Sequence, residues 1–114
     1  MASGQTSSGF VVSRAHPRWP TSLEVRYGAQ ELASGQAMDI SEGGIGFTGE
    51  VTYPVGSELE ICFRRAAPVG WFKARGVVRH SGADRMGVQF VGLGIFDRTR
   101  ILEMIYQDIA TRRR

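Results

Sequence analysis

The stretch Asp39–Phe47, DISEGGIGF, sets a carboxylate, a hydroxyl and the glycines Gly43, Gly44 and Gly46 between two segments of alternating pattern. Upstream, in AQELASGQAMDIS, Met38 and Ile40 share one parity of an extended chain and Ala37, Asp39 and Ser41 the other. Downstream, GIGFTG is short, apolar and strand-like. The stretch therefore reads as the joint of two strands with Asp39 and Ser41 on one face. The glycines permit positive φ and close approach of another group to the backbone. Two readings stay open on these residues alone. One is a hairpin whose Asp39 and Ser41 hydrogen-bond their own turn; the other is a surface cleared for a ligand.

Working outward, the same period of two recurs. SLEVRYG alternates Leu23, Val25 and Tyr27 with Ser22, Glu24 and Arg26, and SELEICFRR alternates Leu59, Ile61 and Phe63 with Glu58, Glu60, Cys62 and Arg64. GWFKARGVVRHS and RMGVQFVGL form a hairpin pair around GAD, the second strand burying Met86, Val88 and Phe90. Six short strands with regularly spaced turns predict a mainly β protein, a six-stranded antiparallel barrel over 21–93.

The period then changes. After Asp97, an N-cap candidate, Ile101, Leu102, Ile105 and Ile109 recur at helical spacing, with Met104 and Tyr106 widening the stripe. One C-terminal amphipathic helix over 97–112 is expected, packed across an open end or face of the barrel, with Arg112–Arg114 at its favourable dipole end. At the other end, residues 1–9 carry little to bury and read as a disordered tail. Pro17 and Pro20 keep 10–20 extended, as a flexible arm, so that 10–112 forms a single domain.

Composition narrows the function. The chain of 114 residues is 42% hydrophobic and 22% charged, in the range of one compact core. No apolar run approaches the ~20 residues a membrane helix needs, and MASGQTSSG has no secretory pattern, so a soluble, cytoplasmic protein without membrane insertion is expected. Cys62, the lone cysteine, makes neither an internal disulfide nor, without a Cys/His cluster, a zinc site. The net charge of +3 owes much to the terminal TRRR, so specific DNA binding is not expected from it. Lys73 is the one lysine among 14 basic residues, a bias that GC-rich codons or bidentate phosphate contacts would each produce.

No Ser/His/Asp or paired-carboxylate pattern falls on the predicted elements, so catalysis and metal binding are not expected. His80, at a strand end, reads as a polar edge residue. His16 lies between two arginines of the arm, in RAHPR, where Arg14 and Arg18 stand four apart.

An R-x-x-x-R on an N-terminal arm, followed by D-x-S-x-x-G at a strand end, resembles the PilZ domain, a bacterial receptor module for cyclic di-GMP. The matching residues are Arg14 and Arg18, then Asp39, Ser41 and Gly44, and GVQF, Gly87–Phe90, looks like that family's last core strand. The resemblance spans nearly the whole chain and implies the same six-stranded barrel with a C-terminal helix.

It also implies a ligand, cyclic di-GMP, with no cofactor besides. Arg14 and Arg18 would bind phosphates or the Hoogsteen edge of a guanine. Asp39 would accept from guanine N–H groups with Ser41 assisting, and Gly44 would leave room for the ring. Possible secondary contacts are Ser13, His16, Trp19, Gly43 and Arg79; Ser13, directly before the first arginine, bears on whether one ligand or an intercalated pair binds. Signalling would pass to an effector protein as the arm folds over the ligand. Two alternatives stay open: a nucleotide-independent PilZ-type adaptor, and a small barrel binding nucleic acid non-specifically. Motility, exopolysaccharide, pili and transcription are not distinguished.

Overall fold

The computed structural model describes residues 17–65 and 70–112. Their strands are β1 (Trp19–Pro20), β2 (Glu24–Gly28), β3 (Ala33–Ser41), β4 (Gly44–Gly49), β5 (Glu58–Arg64), β6 (Phe72–Ser81) and β7 (Arg85–Val91), followed by helix α1 (Ile95–Arg112). All pairings are antiparallel, in the order β1-β3-β2-β5-β6-β7-β4, and β3 also pairs with β4. That last pairing closes six strands into a barrel, which abolishes the open edges of a sheet. The seventh strand, β1, is a two-residue addition beside the end of β3.

Alternation places the core. Val25 and Tyr27, Leu59, Ile61 and Phe63, and Met86, Val88 and Phe90 all point inward and are buried. Phe63 lies 5.1 Å from Phe72 and 5.7 Å from Phe90, ring centre to ring centre, which fills one end of the barrel. Tyr27 fills the other, packed on Phe47 at 4.7 Å with its hydroxyl engaged by the backbone of Val51. Cys62 belongs to the outward row of β5, opposite Arg26 and Lys73, yet is only 4% exposed.

One parity assignment is corrected. The register of β3 against β4 slips between Ala37 and Asp39, so that Met38 is an extra residue. Ala37 and Ile40 are buried whereas Met38 is 38% exposed, so Ala37 faces away from Asp39 and Met38 faces away from Ile40. A β-bulge of this kind puts two successive residues on the same side of a strand.

Helix α1 buries Ile101 and Ile105 against the barrel, with Leu102, Met104 and Ile109 partly covered. It closes the end marked by Phe72, over whose ring the Arg100 guanidinium sits at 5.0 Å. Thr21 donates to Asp108 at 2.9 Å and Arg65 to Thr111 at 2.6 Å, fixing the later turns. Two details differ from the sequence reading. Tyr106 is exposed and outside the apolar stripe, because Ile101, Ile105 and Ile109 already supply the face that meets the barrel. The helix also starts at Ile95, with Asp97 in its first turn accepting from the Gly94 N–H at 3.3 Å.

Candidate functional site

The β3–β4 hairpin is tied by Ser41. Its buried hydroxyl oxygen accepts from the backbone N–H of Gly43 and of Gly44, each at 3.1 Å. These bonds hold the two-residue turn, as a serine at a turn commonly does. The glycines here serve close approach rather than unusual dihedrals: the positive φ values among the described residues belong to Gly56 and Gly92. A Cβ on Gly44 would lie 2.5 Å from the Val88 carbonyl oxygen of β7. The missing side chain at Gly44 thus lets two strands of the barrel meet.

Beside the hairpin, β1 pairs Trp19 with Ile40 and Pro20 with Asp39, and the Thr21 N–H continues the ladder to Met38 O at 3.0 Å. Trp19 is partly buried and packs against the core rather than standing free. This pairing delivers Arg18 to the outer face of β3, where its guanidinium donates to the Asp39 carboxylate. Both side chains remain partly open to solvent, at 29% and 38%. Two residues 21 positions apart in sequence thus form one charged pair at the surface. Arg14, Ser13 and His16 lie outside the described residues.

Across the outer face runs a row that the sequence did not suggest. Asp39 of β3 pairs with Gly46 of β4, Gly46 with Gly87 of β7, and Gly87 with His80 of β6. A second bulge, between Val78 and His80, absorbs Arg79 and puts both Arg79 and His80 outward. A Cβ on Gly46 would come within 3.0 Å of Asp39 Oδ1, and one on Gly87 within 3.1 Å of His80 Cδ2. The Asp39 carboxylate therefore lies over Gly46 and the His80 ring over Gly87. Arg79 stands to one side, its Nε donating to Gln89 Oε1 at 2.8 Å. The recognisable sign in the sequence was a glycine within each of two strands, GIGF and MGVQF; the cross-strand register that aligns them was not.

Other chemistry on the molecule is less suited to an anionic ligand. A groove beside β5 and β6 is lined by Glu58, Glu60 and Asp97 as well as Lys73 and Arg75, and Arg75 is already held by Glu58 at 2.9 Å. Trp71 takes Arg64 at 4.2 Å and Arg26 at 5.1 Å from its ring centre. Burial, followed by the charge of Glu60, pushes the Cys62 thiol above its ordinary pKa despite the opposing influence of Lys73 and Arg26. It therefore stays a protonated thiol, a poor nucleophile. Among the described residues, no three His, Cys, Asp or Glu side chains are grouped to hold a metal ion.

Comparison with known proteins agrees with this architecture. The PilZ domain family matches residues 13–107. Among solved structures, the PilZ domain of Escherichia coli YcgR with c-di-GMP superposes with a TM-score of 0.72 at 13% identity, over 86% of this chain and 92% of that one. The Bacillus subtilis inhibitor of motility, MotI/DgrA, gives 0.71 at 19% identity, over 87% of this chain and 52% of that one. The K. pneumonia MrkH–c-di-GMP complex gives 0.67 at 20% identity, over 87% and 54%. The chain thus spans about half the length of the MotI and MrkH chains. No curated protein matches the sequence. With a family match over 13–107, a six-stranded closed barrel and a C-terminal helix, the chain belongs to the PilZ domain family.

Proposed function

We propose that this chain is a cyclic di-GMP receptor, a binding module without catalysis of its own. The observation that carries the reading is the meeting of Arg18 and Asp39 beside the β3–β4 hairpin. A guanidinium offers a planar fork of donors to phosphate oxygens or to guanine O6 and N7. A carboxylate accepts from the N–H groups on guanine's opposite edge. Two solved PilZ relatives, YcgR and MrkH, are complexes with this ligand.

In this reading Arg18 grips a phosphate or a guanine, and Arg14 adds the second fork of the motif. Asp39 reads a base, while Ser41 and Gly44 maintain the hairpin that aims it. Arg18 and Asp39 start out paired with each other, so the ligand must divide them. A partly exposed ion pair contributes about 0–1 kcal/mol, against about 1–3 kcal/mol for a good bidentate contact to guanine, so the exchange favours binding.

In this reading residues 10–20 are the ligand-binding arm of a barrel of 21–93, with Trp19 and Pro20 already paired to β3, and ligand binding changes the surface shown to an effector protein in the cytoplasm. No helix among the described residues is long and apolar enough to cross a membrane. Motility control fits this reading, since the MotI relative is an inhibitor of motility.

Isothermal titration tests the proposal. Saturable binding of cyclic di-GMP, with linear dinucleotide and single-stranded DNA failing to compete, is the expected result. A folded chain that gives no heat with cyclic di-GMP would overturn it in favour of a nucleotide-independent adaptor. Binding lost steeply with added salt, without preference for the cyclic ligand, would mark a non-specific nucleic-acid binder instead.

A further inference from the structure

We propose that this chain associates with a second copy of itself through the outer flank of helix α1, the two helices running parallel about a two-fold axis. The inference uses none of the residues given a part in cyclic di-GMP binding and stands independently of that reading.

Helix α1 carries more apolar surface than the barrel covers. Ile101 and Ile105 supply the face that meets the core, while Ile95 and Phe96 are 75% and 82% exposed and Tyr106 is 59% exposed. Ile95, Thr99, Leu102, Tyr106 and Ile109 follow one another at steps of four, three, four and three residues. Such spacing draws one straight seam along a helix, the pattern by which two helices pair. Leu102 and Ile109 are partly buried against the barrel and form the inner border of this seam. The Thr99 hydroxyl is satisfied within the helix, donating to Ile95 O at 3.0 Å, and brings no unmet donor to the surface.

The placement of the seam leaves room for a partner. With ~3.6 residues per turn, it lies about 100° round α1 from the buried pair Ile101 and Ile105. A second helix can therefore lie along it while the barrel stays on α1. A two-fold axis parallel to the helices then carries the second barrel to the opposite side of the pair.

Charge on the borders of the seam selects both the occupant and its direction. Arg98 flanks the seam on one side and Glu103 on the other. Both are exposed, and among the described residues neither makes an ion pair. On one helix they stand on different flanks and do not face each other. Between parallel helices in register, the same two positions come together across the seam, so Arg98 of each copy meets Glu103 of the other, once on each side of the axis. An antiparallel pair centred on Leu102 would instead set Glu103 against Glu103, a like-charge contact. The flank of one copy is thus the complement of the same flank on another, which favours a second copy over an unrelated acidic or basic partner. From Ile95 to Ile109 the seam runs about 21 Å, broadened at its start by Phe96. An interface of this length falls near the lower bound of specific ones, about 1,000 Å² in total, and association at roughly 10–100 μM is expected.

Sedimentation equilibrium of the full chain, from low to high micromolar protein, tests this. Wild type is expected to pass from monomer to dimer across that range. Ile95→Glu and Tyr106→Arg, both at exposed positions, should melt close to wild type and weaken dimerisation at least about tenfold. Arg98→Glu and Glu103→Arg should each weaken it about 3- to 30-fold, since each turns two attractions into repulsions, and the double variant should regain most of the loss. A folded wild type that stays monomeric throughout overturns the proposal, as does a dimer that Ile95→Glu and Tyr106→Arg leave intact. A dimer weakened by those two yet indifferent to charge reversal overturns the parallel pairing.

Discussion

Thr21 donates its hydroxyl to the Asp108 carboxylate at 2.9 Å, and so joins the residue that follows β1 to the last turns of helix α1. Thr21 is 7% exposed, and its own N–H belongs to the ladder with Met38, the residue beside Asp39. The candidate ligand face and the helix are therefore one hydrogen bond apart. Thr21→Val, which keeps the shape and removes the donor, is expected to lower stability by about 1–2 kcal/mol. Hydrogen exchange would show faster exchange confined to the later half of α1, with the barrel strands unchanged. Uniform loosening of the whole chain would contradict a local tie.

The Arg18–Asp39 pair separates function from stability. Because both side chains are partly exposed, Arg18→Ala and Asp39→Asn should each change unfolding free energy by no more than about 1 kcal/mol. Under the receptor reading each weakens cyclic di-GMP binding by about 5- to 150-fold. Chemical denaturation and calorimetry on the same preparations measure the two effects side by side.

Gly44 and Gly46 should respond oppositely to alanine. At Gly44 the new methyl meets the Val88 carbonyl oxygen at 2.5 Å, a backbone atom, and the β4–β7 ladder must shift to accept it. A loss of about 1–3 kcal/mol is expected, as for overpacking in a core. At Gly46 the neighbour is the end of the Asp39 side chain, which rotates away. Gly46→Ala should melt close to wild type and lose ligand affinity, whereas Gly44→Ala should melt earlier.

Cys62 gives the fold a dependence on alkaline pH. Its thiol pKa is raised in the folded state, chiefly by burial, so the unfolded chain ionises first as pH rises. The stability that this supplies is complete below the unfolded thiol's range of about 8.5. It declines as pH climbs from there through the higher folded value. Melting curves from pH 7 to 10 should fall more steeply for wild type than for Cys62→Ala, and iodoacetamide should label the folded protein far more slowly than the unfolded one.

Most of the barrel is legible in the alternation of β2, β5 and β7, because each strand has one face in the core and nothing interrupts its period of two. The reading slips where the period itself slips. Met38 and Arg79 are ordinary residues whose types do not announce a bulge, so neither the facing of Ala37 nor the outward turn of His80 could be counted from the chain. At the site, Asp39 and Arg18 are legible as a motif, whereas the row through Gly46 and Gly87 depends on the register of four strands. Ser41 and Gly44 also take structural parts, in the turn and against β7, that their residue types alone do not show. A hydroxyl that ties its own turn and a glycine opposed by a carbonyl oxygen look, in sequence, no different from ligand contacts.

The two bulges also have a consequence for how this face can diversify. Each lets a strand show two successive side chains to solvent while the buried set, Ala37 and Ile40 in β3 and Val78 in β6, stays complete. Met38 and Arg79 are thus surplus to the core's count and stand at the rim of the candidate ligand face. Substitutions at these two positions can rewrite what the face recognises without moving a packed residue, which leaves ligand preference free to drift on a barrel whose stability is held elsewhere.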